Sequence, residues 1–393
     1  MTERYARLTG WGRYVPEKRL TNVDLEKMVE TSDEWITQRT GIKERRIRGE
    51  KDTNTSMAVA AGQEALKVAG ISAQDLDFII VCTSSPDYLL PSAGSLVQDA
   101  LGADCGAVQV TAGCSGWVYG AVMADALIRA GVHNAILVIG VEIVSYGIDY
   151  TDRKTCVLFG DAAAATVFQA SDQPSGILAS ELGSDGAKAQ ALWVPGGGSA
   201  WPISPEVVEQ RQHYIQMDGP EVFKFASRVV GSSLKRTIAQ AGLLPEDIDL
   251  FIPHQANARI IEAGARFMRQ PIEKFYMNLQ YYGNTSAASV PLALVEAIEE
   301  GRLKDGCKVA MVAFGAGLTW GSVVIQMGVG EVSPAHVLFS AGRARYLAKR
   351  ARETVLDTAQ AAWCPFIPGL IRGGVPSAVR FALKILIKHL CAT

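Results

Sequence analysis

Two stretches of this chain share one hydrophobic–polar pattern. Residues 69–80 read Ala-Gly-Ile-Ser-Ala-Gln-Asp-Leu-Asp-Phe-Ile-Ile, and residues 241–252 read Ala-Gly-Leu-Leu-Pro-Glu-Asp-Ile-Asp-Leu-Phe-Ile, an offset of 172. Each closes a helix with glycine, turns through acidic residues and enters an uninterrupted apolar strand. A second echo follows in the same order at an offset of 174, between the strand-like runs Ala135–Gly140 and Val309–Gly315. Two echoes in one order predict a duplicated chain, with halves at 1–172 and 173–330. Helices alternating with continuous apolar strands predict stacked α/β layers, because such strands are buried on both faces. The first-half strand runs on into Val81-Cys82-Thr83-Ser84, and its counterpart into Pro253-His254-Gln255-Ala256-Asn257. Ligands of open α/β sheets bind beyond the carboxyl ends of strands, which places His254 where a catalytic group is expected.

The run Val108-Gln109-Val110-Thr111-Ala112-Gly113-Cys114-Ser115-Gly116 leads into an amphipathic stretch from Ser115 to Ala130. It predicts strand, tight turn and helix, with a thiol at the helix N-terminus. Unpaired N–H groups and the positive dipole end favour a thiolate there, the form that attacks acyl groups. Most intracellular cysteines are small buried hydrophobes, so Cys114 alone does not establish chemistry. His254 and the later motif around Asn284 tip the reading toward a nucleophile.

Composition narrows the setting. Hydrophobic residues make up 48% and charged residues 20% of the 393, as in an ordinary soluble globular protein, and the net charge of -2 gives no reason to expect nucleic acid. The N-terminus lacks the apolar core of a signal peptide, and no apolar run approaches the ~20 residues of a membrane span. Seven cysteines at irregular spacings form neither a disulfide framework nor a zinc pattern. A cytoplasmic protein without a metal is expected. Charge is uneven, however: residues 331–393 hold nine Lys and Arg against three Asp and Glu, whereas residues 1–330 hold 29 against 37.

The motifs together resemble the β-ketoacyl-acyl-carrier-protein synthase III family. The resemblance covers residues 1–330 and rests on Thr31–Ile36, Arg39-Thr40-Gly41-Ile42, Cys114, Gly160-Asp161 and His254-Gln255-Ala256-Asn257. It continues through Gly283-Asn284-Thr285-Ser286-Ala287-Ala288-Ser289 and Phe314-Gly315-Ala316-Gly317 with Thr319-Trp320-Gly321. It implies a thiolase-like fold, two duplicated α/β halves layered α-β-α-β-α, in a homodimer. It implies that Cys114 carries the primer acyl group as a thioester. His254 and Asn284 would donate hydrogen bonds to the thioester oxygen of a decarboxylating malonyl unit, and the backbone N–H groups of Cys114 and Ala316 would form an oxyanion hole. Ala316 stands where family members usually have glycine.

Binding roles follow from the same resemblance. Thr31-Ser32-Asp33-Glu34 reads as a capping box and Gly41 as the helix end, so Trp35 and Arg39 share one face. Trp35, Arg39, Arg153 and Asn257 are implied contacts of coenzyme A, which is a substrate; no cofactor is implied. Lys224 and Arg259, with Arg266 and Arg269 more loosely matched, are implied contacts of acyl carrier protein. Leu90 falls where the family usually projects an aromatic side chain into the partner's primer pocket.

The expected reaction is condensation of a short acyl-CoA with malonyl-acyl carrier protein, initiating fatty-acid synthesis. The alternatives are a related condensing or acyl-transfer enzyme of polyketide assembly, or a non-catalytic scaffold subunit; retention of Cys114, His254 and Asn284 argues against the scaffold. The extension 331–393 lies beyond the resemblance. Its pattern predicts two basic helices, the second with Arg380, Lys384 and Lys388 in a stripe. That suits a membrane surface or a partner groove, and equally a helix packed on the core or an extension with no function.

Overall fold

The computed structural model describes residues 4–328; the extension 331–393, with its predicted helices and membrane or partner contact, lies outside the described residues. Nine of the strands among the described residues form the two large sheets. The first contains β1 (Tyr5–Tyr14), β2 (Phe78–Cys82), β3 (Gly106–Val110), β4 (Ala135–Glu142) and β5 (Ala162–Ser171), in the spatial order β1-β5-β4-β2-β3. The second contains β6 (Gly176–Ser184), β7 (Leu250–Pro253), β8 (Lys308–Gly315) and β9 (Thr319–Gln326), in the order β7-β8-β9-β6.

The two sequence echoes occupy corresponding places. Helix α1 (Asn54–Ala69) ends on left-handed Gly70, passes a 3-10 turn at Ala73–Asp75 and enters β2. Helix α2 (Gly219–Gln240) is followed by left-handed Gly242, a 3-10 turn at Pro245–Asp247 and β7. β2 then pairs in parallel with β4, and β7 in parallel with β8, the strands of the second echo. All eight residues of β4 are buried, as expected of a strand covered on both faces. β1, at the sheet edge, alternates half-buried and buried positions instead.

Three layers of helix cover these two sheets. α3 (Gly116–Arg129) and α4 (Ser289–Glu299) lie between them: Trp117, Val118, Val290 and Leu294 share one core with Ile80 and Val138 of the first sheet and Ile252 and Met311 of the second. Each fully buried aliphatic side chain here contributes roughly 1.5–3 kcal/mol. The one polar atom of buried Trp117, its indole N–H, is satisfied by Thr166 Oγ1 at 3.2 Å. On the outer faces α1 packs against β2 and β4, and α2 packs against β8 and β9. The architecture is the predicted α-β-α-β-α sandwich. Among the described residues no helix is long and apolar enough to cross a membrane.

One local expectation fails. Ser32, not Thr31, caps the helix Asp33–Thr40, accepting from Trp35 N–H at 3.1 Å, so the third helical residue is Trp35 and no reciprocal capping box forms. A carboxylate from outside takes its place: Glu26 Oε1 accepts the Asp33 N–H at 2.7 Å. The helix does end on left-handed Gly41.

Candidate active site

Cys114 sits in the 3-10 turn Gly113–Ser115 between β3 and the N-terminus of α3. The chain can turn so tightly because Gly113 has φ +52, and because a second turn abuts it. A Cβ on Gly113 would lie 2.8 Å from Ala316 N, and one on Gly315 would lie 2.4 Å from Cys114 N. Any side chain at either position would therefore push the two turns apart. Thr319 Oγ1 stitches them, 2.9 Å from Ala112 O and 2.8 Å from Ser115 Oγ. The N–H groups of Cys114 and Ala316 thus belong to abutting turns. Ala316 does not itself adopt a positive φ, so its position needs no glycine; that demand falls on its neighbour Gly317.

The resting thiol departs from the sequence expectation. Cys114 is 6% exposed, and burial pushes its pKa up to about 11, outweighing hydrogen bonds from the side chains of Ser286 and Asn284 that favour the thiolate. The helix terminus does not by itself make this cysteine a thiolate at neutral pH.

His254 follows β7, and its backbone N–H donates to Val312 O at 2.7 Å. The ring is 1% exposed, edge-on to Phe314 with centroids 5.0 Å apart. Ser289 Oγ accepts the Gln255 N–H at 3.3 Å and lies 2.5 Å from His254 Nδ1. When Ser289 donates to Nδ1, the ring carries its hydrogen on Nε2, where it can donate into the cleft. Burial pushes the imidazole pKa down to about 3, so His254 is a neutral donor across the ordinary pH range. Gln255 braces the loop, donating to Pro253 O and Tyr276 O and accepting from Asn278 N–H.

Asn284 is held by backbone bonds with Leu158 and Gly160. Ser286 N–H donates to its Oδ1 at 2.9 Å, so its amide nitrogen is the end left to donate. Cys114, His254 and Asn284 all line one cleft, whose walls include Leu158, Phe159, Val222, Phe223, Ile260 and Phe314. It is a largely apolar channel ending on a thiol and two neutral hydrogen-bond donors.

At the outer surface, Trp35 lies beneath two guanidinium groups, Arg153 at 4.9 Å and Arg39 at 5.9 Å from the ring centroid. Asn257 lines the cleft, but both ends of its amide are engaged: Oδ1 accepts from Arg259 N–H as a helix cap, and Nδ2 donates to Arg39 O. Lys224, Arg259 and Arg266 are exposed on α2 and on α5 (Ala258–Met268); Arg259 also covers the Phe223 ring and Arg266 pairs with Glu262 at 3.9 Å. Leu90 is not part of the cleft of its own chain; it is 86% exposed beside exposed Tyr88 and Leu89.

Sequence reasoning passed over Ser286 and Ser289, which sit inside the quoted asparagine motif, and Glu142. The available clue to Glu142 was a single charge ending the otherwise apolar run of β4.

Residues 108–186 match the family model 3-oxoacyl-[acyl-carrier-protein (ACP)] synthase III, and residues 238–327 match that of its C-terminal part. A β-ketoacyl-[acyl-carrier-protein] synthase III of Symbiobacterium thermophilum is 50% identical over 322 residues, covering 82% of this chain and 98% of the relative. The crystal structure of 3-oxoacyl-[acyl-carrier-protein] synthase III from Aquifex aeolicus superposes with TM-score 0.77 at 45% identity, over 82% of this chain and 99% of that one. A priming β-ketosynthase of the R1128 polyketide pathway also superposes with TM-score 0.77, at 31% identity over 83% and 97% of the two chains.

Proposed function

The chain belongs to the β-ketoacyl-[acyl-carrier-protein] synthase III family, and on that premise we propose that it initiates fatty-acid synthesis by joining a short acyl-CoA to malonyl-acyl carrier protein. The observation that carries this reading is the convergence of Cys114 with two neutral donors, His254 and Asn284, at the end of one apolar cleft. The 50% identity to a synthase III, against 31% to a polyketide priming enzyme, favours the fatty-acid role.

Cys114 Sγ attacks the thioester carbon of the primer, the oxyanion is met by the N–H groups of Cys114 and Ala316, and coenzyme A leaves. Malonyl-acyl carrier protein then enters the same channel. As its carboxylate departs as carbon dioxide, negative charge moves onto the thioester oxygen, where His254 Nε2–H and the Asn284 amide stabilise it. The resulting carbanion attacks the acyl group on Cys114, forms the new C–C bond and releases the thiolate. Neutral donors suit this step. A charged imidazolium would hold the malonyl carboxylate in place, whereas a neutral N–H aimed at the oxygen strengthens as charge develops. Thioester reactivity and hydrogen bonding supply this chemistry, with coenzyme A as substrate and no cofactor or metal assigned a role.

Trp35 with Arg39 and Arg153 would bind the nucleotide end of coenzyme A. Arg153 is too close to the indole for a base to enter between them, so stacking moves a guanidinium aside toward the phosphates. Trp35→Ala is expected to raise the KM for acyl-CoA by ~10-fold, the scale of one base–aromatic stack, and to leave that for malonyl-acyl carrier protein unchanged. Steady-state kinetics with each substrate varied separately will check this, and equal rises for both would mark Trp35 as structural. Lys224, Arg259 and Arg266 would meet the acidic carrier protein. The exposed Tyr88–Leu90 apolar loop would be covered in a homodimer, with Leu90 reaching the partner's primer pocket. A cytoplasmic location completes the proposal.

The test is product formation from purified protein, a panel of acyl-CoA primers and malonyl-acyl carrier protein. The expected result is 3-oxoacyl-acyl carrier protein and carbon dioxide in equal amounts, with short primers preferred. Acyl transfer without carbon dioxide release would refute the condensing role.

A further inference from the structure

Cys114 is buried as a thiol, and burial disfavours the protonated form of His254, which makes that imidazole a poor acceptor for the thiol proton. Something else must take the thiol proton when the primer thioester is attacked. Glu142, at the carboxyl end of β4, is a buried carboxylate hydrogen-bonded to Ser286 of the asparagine motif. It is 1% exposed and forms no ion pair among the described residues. Its carboxylate accepts from Ser84 N–H at 3.1 Å, Ser85 Oγ at 2.5 Å, Thr83 Oγ1 at 3.3 Å and Ser286 Oγ at 3.0 Å. Ser286 gives its hydroxyl proton to Glu142, its side chain is among the groups that bear on the ionisation of Cys114, and its backbone N–H orients Asn284. The Ser286 backbone is held at φ +49, an unusual conformation for a residue with a side chain, which the surrounding contacts must impose.

Resting on the acyl-transfer reading above, we propose that Glu142 is a positioning residue that receives the Cys114 proton through the Ser286 hydroxyl during acylation. As Cys114 Sγ bonds the thioester carbon, its proton passes to Ser286 Oγ, and the proton already on Ser286 Oγ passes to Glu142 Oε1. The C–S bond to coenzyme A then breaks, and the leaving sulfur takes the electron pair and recovers the proton stored on Glu142. No other reactant is required. The relay also removes a repulsion, because two buried anions in contact with one serine cannot readily coexist, whereas a thiolate beside a neutral carboxylic acid can.

Burial pushes the Glu142 pKa up to about 7, against the bonds from Ser85, Ser84 and Ser286 that favour its charged form. The ionisable groups facing it are Cys114 from the catalytic turn, Cys82 from β2 and Tyr146 from the segment after β4. Burial raises all three above their ordinary values, so Glu142 is the group of this cluster that titrates near neutrality. Only its carboxylate form can accept the proton. Acylation should therefore increase as pH rises through about 7 and level off above.

The test is the single-turnover rate of Cys114 acylation by acetyl-CoA as a function of pH, followed by intact-protein mass spectrometry. Wild type, Glu142→Gln, Glu142→Asp and Ser286→Ala are compared, with the thermal melting temperature of each. The expected loss for Glu142→Gln and Ser286→Ala at neutral pH is ~10²-fold, the lower range for a removed proton acceptor. Their rates should lose the neutral inflection and climb toward that of wild type at alkaline pH, where the thiol ionises unaided. Glu142→Asp should restore much of the rate and the inflection. An unchanged pH profile in Ser286→Ala or Glu142→Gln would overturn the relay, as would a loss of the same size at every pH. Wild type that fails to acylate would instead overturn the acyl-transfer reading itself.

Discussion

Cys114→Ser is expected to abolish condensation, lowering the rate by on the order of 10⁴-fold or more, as loss of a covalent nucleophile does in other acyl-transfer enzymes. The replacement fits the turn, since serine is smaller than cysteine and the packing of Gly315 against Cys114 N is untouched. What changes is the chemistry. Burial already holds the thiol at a pKa of about 11; an alcohol starts far higher, so no acceptor in this pocket can ionise it. An oxygen ester, once formed, is also a poorer acyl donor to a carbanion than a thioester. The protein should stay folded and keep its affinity for coenzyme A. Steady-state turnover together with coenzyme A binding by calorimetry separates these outcomes, and a serine variant that still condensed at a substantial rate would exclude Cys114 as the acyl carrier.

His254→Ala and Asn284→Ala form the second large effect, and they should split the two half-reactions. Each removes one donor to the developing thioester oxyanion, a loss of ~10²–10³ in rate. Acylation of Cys114 should be affected much less, because the backbone N–H groups of the two abutting turns meet that oxyanion. Asn284 is the less clean of the pair, since its side chain also favours the Cys114 thiolate. His254→Ala leaves Ser289 without its partner at Nδ1, but Ser289 retains the Gln255 N–H as donor. The split is read by self-acylation from labelled acyl-CoA alongside carbon dioxide release from malonyl-acyl carrier protein. Variants that could not be acylated yet decarboxylated normally would reverse the roles assigned here.

The layered fold was legible because buried strands reveal themselves: Ala135–Gly140 and Val309–Gly315 are apolar without alternation, and they pair in parallel with the strands of the other echo. The catalytic trio was legible from its motif spacing. Less visible was anything set by contacts between distant segments. The helix cap at Ser32 was misread because the carboxylate that serves the next residue, Glu26, comes from the preceding turn and not from within the helix. The thiolate expectation failed because a helix N-terminus can be seen in sequence, while the depth at which Cys114 is buried cannot. Ser289 and Glu142 were missed for the same reason. Their meaning lies in Nδ1 of His254 and in Ser286 Oγ, separated from them by 35 and 144 residues.

The central claim, that Cys114 holds the primer until a decarboxylated malonyl unit displaces it, is tested most directly by peptide mass spectrometry with a chase. The protein is loaded with isotope-labelled acetyl-CoA, freed of excess reagent, and then given malonyl-acyl carrier protein. The account predicts one labelled acyl group, on the peptide containing Cys114, which disappears in the chase as an equal amount of labelled 3-oxoacyl-acyl carrier protein forms. Label on Cys82 or Cys156, or label on Cys114 that persists through the chase, would contradict it.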